Sequence, residues 1–232
     1  MDLFVQGIGG AIARLIALDR DVLDAASASL AVSGTATALS ILVGVPLGAI
    51  LGLGRFRGRN LALSAVNTGM GLPPVAVGLF VATLVWRSGP LGPLDWYCTR
   101  PAIVIAQFIL AAPTVTGLTA VALQSVDPML RMQLSSLGAT RLQSALILIR
   151  ESRLLLISAV LVGFGAAVSE IGASLMTGCN VKGDTRLLTT AIALETSKGE
   201  FSSAYALAFI LLAIVFGVSA VTTWAQQRPR PL

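Results

Sequence analysis

The chain has 232 residues, of which 55% are hydrophobic and only 12% are charged, and its mean hydropathy is +0.85. A soluble domain carries about 25% charged residues, so this composition excludes a soluble enzyme as the first interpretation. The net charge is +5, but the basic residues lie between apolar runs and form no patch for a nucleic acid. The chain contains no histidine, and its two cysteines cannot form a metal cage, so no metal-binding residues are expected.

Charge-free runs predict the membrane spans. Four such runs are each longer than the roughly 20 residues that cross a hydrocarbon core. A fifth run is interrupted only by Glu170. The five predicted spans are 25–54, 60–86, 101–126, 154–176 and 201–227. We therefore expect an all-α polytopic membrane protein with its two termini on opposite sides of the membrane.

The N-terminal segment, residues 1–28, is expected to contain an interfacial helix over 3–18. This stretch is rich in glycine, carries Arg14 and runs into an acidic stretch over 19–24. It lacks the basic start of a signal peptide.

Basic residues set the expected orientation. With five spans, nine of the 16 basic residues fall on one side and seven on the other, whereas the acidic residues outside the spans divide two against eight. The cluster Arg55, Arg57 and Arg59 directly follows the first span, which favours the cytoplasm for that side. The central loop, residues 127–153, and the tail, 227–232, are then cytoplasmic, and the N-terminus lies outside.

The two cysteines, Cys98 and Cys179, both fall on the outer side in this topology. A disulfide is chemically permitted in an oxidising compartment. Two unpaired thiols, buried as small apolar side chains, are an equally open alternative.

The spans are rich in small residues, as in 32–37 and 163–167, which predicts close packing between helices. Pro73, Pro74 and Pro113 lie inside the second and third spans, where each removes a backbone donor. These prolines indicate either simple curvature or a hinge along a substrate path.

The sequence lacks the residues of a catalyst. The run 178–183 is the nearest match to a phosphate-binding loop, but Asp184 stands where that loop needs lysine. No serine has a histidine to activate it, and no paired carboxylates share a plausible cleft. No catalytic residues are therefore predicted.

The central loop is predicted to hold two short helices on either side of Gly138. Asp127 and Pro128 combine an N-cap acceptor with a proline at the first helical position. Beyond Gly138, apolar residues recur at helical spacing. This stripe consists of Leu142, Ala145, Leu146 and Ile149. An apolar stripe outside the bilayer fits either a groove on a partner protein or the lipid surface.

The run 134–141, Leu-Ser-Ser-Leu-Gly-Ala-Thr-Arg, resembles the cytoplasmic loop signature of permease subunits of bacterial ATP-binding-cassette (ABC) importers. That signature has glutamate where this chain has Met132, and Leu-Pro where it has Arg150 and Glu151. The resemblance implies that the central loop couples to a separate ATPase subunit. ATP and Mg²⁺ would be held by that partner, and no cofactor by this chain. The residues implied in coupling are Leu134, Ser135, Leu137, Gly138, Ala139, Arg141 and Leu142.

Two more runs, 169–173 and 178–201, resemble the molybdate and tungstate branch of these permeases, most closely its tungstate-specific type. With 32–37 and 45–48, the likeness covers nearly the whole chain. It implies the transmembrane domain of a type I importer over 29–226. It also implies a homodimer, an extracytoplasmic oxyanion-binding protein as partner, and the bacterial inner membrane as location.

The spans carry no Lys or Arg at mid-membrane, so hydroxyl and N–H donors would hold a dianion. Glu170 as a bare charge would repel such a substrate, and we favour it as a packing and hydrogen-bond anchor, protonated or paired. The residues expected on the translocation path or in its packing are Pro73, Pro74, Ser169, Glu170, Gly172, Thr189 and Thr190.

The expected function is thus the permease subunit of an ATP-driven oxyanion importer, with tungstate as the first choice of substrate. Two alternatives stay open at this point. One is a molybdate or sulfate permease of the same type. The other is a membrane scaffold or signalling protein that uses the central loop as a docking surface.

Overall fold

The computed structural model describes residues 20–227, and this part of the chain consists of helices and short connections. The helices are α1 (Arg20–Leu53), α2 (Arg59–Met70), α3 (Pro74–Val85), α4 (Arg100–Gln124), α5 (Pro128–Ser136), α6 (Arg141–Glu151), α7 (Arg153–Val168), α8 (Gly172–Gly178), α9 (Leu188–Ser197) and α10 (Phe201–Gln227). The described residues contain no strand, and the all-α prediction is confirmed. The helix expected over 3–18 and the tail beyond residue 227 lie outside the described residues. Residues 20–28, assigned above to an interfacial segment, form the first turns of α1.

Three helices, α1, α4 and α10, are each long and apolar enough to span a bilayer, and they match three of the predicted spans. The runs 60–86 and 154–176 are instead bent. α2 and α3 meet at 97°, and α7 and α8 meet at 57°. The described residues therefore offer three unbroken spans, or five when each bent pair is counted as one.

Prolines cause the first of these breaks. Pro73 has φ −64° and ψ 120°, the extended conformation favoured by a residue that precedes another proline. Pro74 begins α3, at a position where the missing N–H is not needed by the helix. Pro113, by contrast, lies inside α4, which continues as one helix. The pair Pro73-Pro74 thus ends one half-helix and starts another.

Glu170 holds the second break. It is only 8% exposed, and its Oε1 accepts a 2.8 Å hydrogen bond from the backbone N–H of Ala173 in the first turn of α8. The Glu170 carbonyl oxygen accepts a 3.1 Å bond from the hydroxyl of Thr189. The first N–H groups of a helix lack intrahelical partners, so the Glu170 carboxylate satisfies one of them and fixes where α8 begins.

α4 is the central helix and packs against α1, α2, α3, α7 and α8. At Gly48 on α1, a Cβ atom would lie 2.6 Å from the carbonyl oxygen of Thr116 on α4. At Gly52 it would lie 2.9 Å from the carbonyl oxygen of Ala120. Side chains do not approach that closely, so glycine at these positions lets the two backbones meet. The prediction of close packing through small residues is confirmed.

The half-helices α3 and α8 also cross through glycine. A Cβ at Gly78 would lie 2.6 Å from the Cα of Ala173, and a Cβ at Gly172 would lie 2.6 Å from Cγ2 of Val75. Val77 and Ala173 belong to the buried apolar cluster that joins this crossing to α4. The two membrane breaks are therefore packed against each other.

A disulfide closes the side of the molecule opposite the central loop. Cys98, before α4, and Cys179, after α8, are bonded, with their Cα atoms 5.1 Å apart. The Cys98 N–H also donates a 3.0 Å hydrogen bond to the carbonyl oxygen of Thr177. Of the two alternatives that the sequence leaves open, the structure shows the paired one.

We expect peptide mapping of the native protein, alkylated without reductant, to recover a linked Cys98–Cys179 peptide, because the bond joins packed elements outside the spans. In the control variant Cys179→Ser, Cys98 should become open to alkylation. Full alkylation of Cys98 in the unreduced native protein would contradict the pairing.

Glu170→Ala should lower the free energy of unfolding by about 1–2 kcal/mol, because it removes the acceptor for the Ala173 N–H. Glu170→Gln should lower it less, since an amide oxygen can still accept that hydrogen bond. Denaturant unfolding in detergent measures both values. Glu200→Ala, at an exposed position before α10, is the control and should leave stability unchanged. Equal losses for Glu170→Ala and Glu170→Gln would show that the charge, and not the acceptor, is required.

Candidate functional site

Helix caps shape the central loop. The Asp127 Oδ1 accepts a 2.8 Å hydrogen bond from the Met129 N–H, and Pro128 opens α5, as predicted. At the start of α6, the Thr140 hydroxyl accepts a 3.3 Å bond from the Gln143 N–H. The Gln143 Oε1 accepts a 2.8 Å bond from the Thr140 N–H in return. Each short helix therefore carries its own N-terminal signal in the sequence.

Gly138 makes the turn between α5 and α6. Its φ is +74°, in the left-handed region that favours glycine. The Gly138 N–H donates to the Ser135 carbonyl oxygen at 3.1 Å, and the Ala139 N–H donates to the Leu134 carbonyl oxygen at 3.0 Å. These two bonds form a Schellman motif, which ends α5 and turns the chain into α6.

The central loop exposes large apolar side chains. Leu137 is 83% exposed and Leu142 is 71% exposed. Met132 and Leu146 are also exposed. An apolar surface on a segment outside the predicted spans is typical of a docking surface.

Two of the apolar residues predicted on the central loop, Leu134 and Ile149, face inwards. Leu134, expected to contact a partner, is buried and packs with Leu123 near the end of α4. Ile149 packs against the same cluster, so the predicted stripe is divided: Leu142 and Leu146 are exposed and Ile149 is not. Leu134 consequently anchors the loop and does not present its side chain to another protein. The 3.6-residue spacing did not reveal that Ile149 faces the core, because both faces of α6 carry apolar residues.

Three further residues assigned to coupling, Ser135, Ala139 and Arg141, line a cleft of about 560 Å³ together with Ala145. The cleft lies between the C-terminal end of α1 and the central loop. The residues assigned to coupling therefore lie in different places. Leu137 and Leu142 are exposed, Leu134 is in the core, Gly138 makes the turn, and the other three line the cleft.

The predicted path residues meet at the two membrane breaks. Pro73 and Pro74 are exposed at the first break, and Ser169 is exposed at the second. Gly172 brings the breaks together, because a Cβ there would lie 3.5 Å from the backbone N of Val75 on α3.

Thr189 and Thr190 are buried, and their hydroxyl groups are already engaged. Thr189 donates to the carbonyl oxygen of Glu170, and Thr190 donates to Oδ1 of Asn180 at 2.9 Å. The Thr190 hydroxyl also accepts a 3.0 Å bond from the Leu187 N–H. The structure thus places both threonines in the packing of α9, with no free donor to offer an anion.

Gln107 is a buried polar residue that the sequence analysis missed. It is fully buried on α4, and its Nε2 donates to the Ser174 hydroxyl on α8 at 3.3 Å. Its Oε1 has no hydrogen-bond partner among residues 20–227. An amide inside an otherwise apolar run was the available signal.

No group of His, Cys, Asp or Glu within residues 20–227 is arranged to hold a metal ion. What the geometry of the described residues supports is binding coupled to conformational change. The exposed central loop and the paired breaks at α3 and α8 are the two places where it would occur.

Comparison with known proteins agrees with this geometry. The family model for the binding-protein-dependent transport system inner membrane component matches residues 44–231. A probable anion ABC transporter permease protein of Haloferax volcanii is 40% identical over 198 residues, which cover 83% of this chain and 85% of that protein. The tungstate uptake system permease protein TupB of Peptoclostridium acidaminophilum is 37% identical over 221 residues, which cover 95% of this chain and 97% of that protein.

Solved structures give the same fold. An inward-facing conformation of the MetNI methionine ABC transporter matches with a TM-score of 0.72 over 89% of this chain and 94% of that chain. The sequence identity is 17%, so this likeness shows the fold alone, that of type I ABC importer transmembrane domains. Because the family model covers most of the described and predicted spans, the chain belongs to the binding-protein-dependent transport system inner membrane components, the multi-pass membrane permeases of ABC transporters.

Proposed function

We propose that this chain is the permease subunit of an ATP-driven importer of tetrahedral oxyanions, with tungstate as its substrate. The observation that carries the proposal is the match to the tungstate permease of Peptoclostridium acidaminophilum, which extends over 97% of that protein at 37% identity. A second tungstate permease TupB, from Campylobacter jejuni, is 36% identical over 93% of its length. Membership in the permease family removes the scaffold interpretation.

The membrane breaks support passage of a dianion with weak binding. Within the apolar runs 25–54, 60–86, 101–126, 154–176 and 201–227 the one charged residue is Glu170, whose carboxylate caps α8. The start of α3 has no side-chain cap, and its first N–H groups lie beside α8. The N-terminus of a helix attracts anions without a full positive charge, which favours transient binding over trapping.

The partners follow from the same proposal. Two copies of the chain form one path at their interface, an extracytoplasmic protein delivers the oxyanion, and a cytoplasmic ATPase that holds ATP and Mg²⁺ docks on the central loop. The exposed side chains Leu137 and Leu142 are the main apolar contacts in this scheme. The location is the bacterial inner membrane, with the N-terminus outside and the C-terminus inside.

Molybdate is the second candidate substrate. The molybdenum transport permease ModB of Escherichia coli is 27% identical over 90% of its length, below the value for the tungstate permeases. Tungstate and molybdate have the same charge and tetrahedral shape, so a path of weak donors can pass both. We place the choice between them in the extracytoplasmic binding protein.

Cells that lack this chain should lose high-affinity tungstate uptake, measured as intracellular tungsten by mass spectrometry, and regain it when the chain is restored. A large excess of sulfate should leave the restored uptake intact. A loss of tungsten uptake in that excess of sulfate would remove tungstate as the assigned substrate.

Gly138→Val should reduce ATP-driven uptake by about tenfold or more, because a β-branched residue at φ +74° is strained by about 1–2 kcal/mol and would distort the turn of the docking loop. Gly138→Asn should retain more uptake, since asparagine tolerates this conformation. Uptake and ATPase activity are measured with the partner ATPase present.

Gly183→Val is the matched control. Gly183 also has positive φ, +79°, and open space around its Cβ position, but it lies on the opposite side of the membrane from the central loop. It should leave the stimulation of the ATPase intact. If Gly138→Val and Gly183→Val impair coupling equally, the turn at Gly138 has no special role in docking.

A further inference from the structure

The cleft of about 560 Å³ beside the central loop is lined by three arginines. Arg55 follows α1, Arg131 lies on α5, and Arg141 is the first residue of α6. Two hydroxyl side chains, Ser135 and Ser144, also line it. We name this site the arginine cleft.

Within residues 20–227, no carboxylate neutralises the positive charge of the arginine cleft. No acidic residue lines it, and within residues 20–227 none of its arginines forms a salt bridge. The single carboxylate at the start of the central loop, Asp127, is used to cap α5.

The cationic cleft on the other side of the molecule is different. There Lys182 pairs with Asp21 at 2.5 Å, and Lys198 pairs with Glu195 at 2.9 Å. Both lysines line a cleft of about 310 Å³. Two of its three cations are thus paired with carboxylates, and the third, Arg186, donates to the carbonyl oxygen of Asn180. In the arginine cleft no cation is paired with a carboxylate of residues 20–227.

Arg131 is held in place before any ligand arrives. Its Nη2 donates a hydrogen bond to the carbonyl oxygen of Leu123, near the end of α4. Its Nε is buried and has no partner among the described residues. A guanidinium that is fixed and partly desolvated loses little side-chain entropy when it binds an anion, which strengthens the interaction.

The donors in the cleft fit a tetrahedral oxyanion. Arginine donates in pairs to oxygens of phosphate-like groups, and serine hydroxyls add single donors. The Ser135 and Ser144 hydroxyls make no other hydrogen bond within residues 20–227, and both are accessible. The volume accepts a free dianion or the phosphate of a lipid head group.

We propose that the arginine cleft is an oxyanion-binding site that joins the segment after α1 to the central loop. A bound anion would bridge Arg55 on one side to Arg131 and Arg141 on the other. The site rests on the three uncompensated arginines. The further statement that a free ligand of this site is the transported anion itself rests on the function proposed above.

The test is equilibrium dialysis of the full chain in nanodiscs against sodium tungstate, with bound tungsten measured by mass spectrometry. The variant Arg55→Gln/Arg141→Gln should weaken binding by at least about tenfold, because two charge-assisted contacts are lost. Arg57→Gln is the matched control, since Arg57 belongs to the same basic cluster but does not line the cleft. It should change the affinity by less than about twofold.

Two sources of the oxyanion are separated by the lipid composition. In phosphatidylcholine nanodiscs, loss of tungstate binding in the double variant and its retention in Arg57→Gln indicates a free dianion. In nanodiscs that contain phosphatidylglycerol, retention of that lipid by the native chain but not by the double variant, detected by native mass spectrometry, indicates a lipid phosphate. Either result supports the site.

The proposal is overturned if neither ligand depends on Arg55 and Arg141, or if Arg57→Gln reduces binding as strongly. It is also overturned if the double variant binds anions normally but loses the ATPase, because the arginines would then contact an acidic surface on that partner. If the double variant does not fold, Arg141→Gln alone provides the same comparison. Uptake by cells with the native chain is measured separately, so failure of this site leaves the transport assignment standing.

Discussion

A backbone N–H or C=O group without a partner is strongly unfavourable in hydrocarbon, and this constraint determines how the chain can break inside the membrane. At the first break, Pro73 and Pro74 have no N–H groups to satisfy. At the second, Glu170 offers its carboxylate to the Ala173 N–H. Packing of the two half-helices against each other, through Gly78 and Gly172, then buries part of the backbone near the breaks. Each break is tolerated because its own residues either lack the backbone N–H groups that a bend leaves without partners or bond to them.

α4 links these breaks to the central loop. Its outer end is tied to the end of α8 through Cys98, and its middle contacts α1 at Gly48. At its inner end, Leu123 packs with Leu134 of the loop and accepts a hydrogen bond from Arg131. A displacement of the loop therefore acts directly on the helix against which both half-helices pack. This gives a physical route by which docking on one side can alter the path in the membrane.

The sequence predicted those features that local chemistry determines. The helix signals at Asp127 and Gly138 are local, since Asp127 has a carboxylate that accepts a backbone N–H and Gly138 lacks the Cβ that disfavours positive φ. Charge-free runs of span length leave few alternatives to a membrane. The breaks were harder to predict, since a hydropathy run such as 154–176 has the same composition whether it is straight or bent. The burial of Leu134 depends on contact with Leu123, eleven positions away and on another helix. Tertiary contacts of this kind have no signature in the period of a short amphipathic segment.

The distribution of charge follows from what an anion path must avoid. A cation fixed at mid-membrane would bind a dianion tightly and slow its release, whereas helix N-termini and hydroxyl groups bind it weakly. The strong cations accordingly lie at the two faces. On the outer face Lys182 and Lys198 are paired with carboxylates, but at the inner face Arg55, Arg131 and Arg141 are not. In the proposed import scheme, an anion that leaves the path would thus meet unpaired arginines beside the central loop, where its presence could be sensed without obstructing passage.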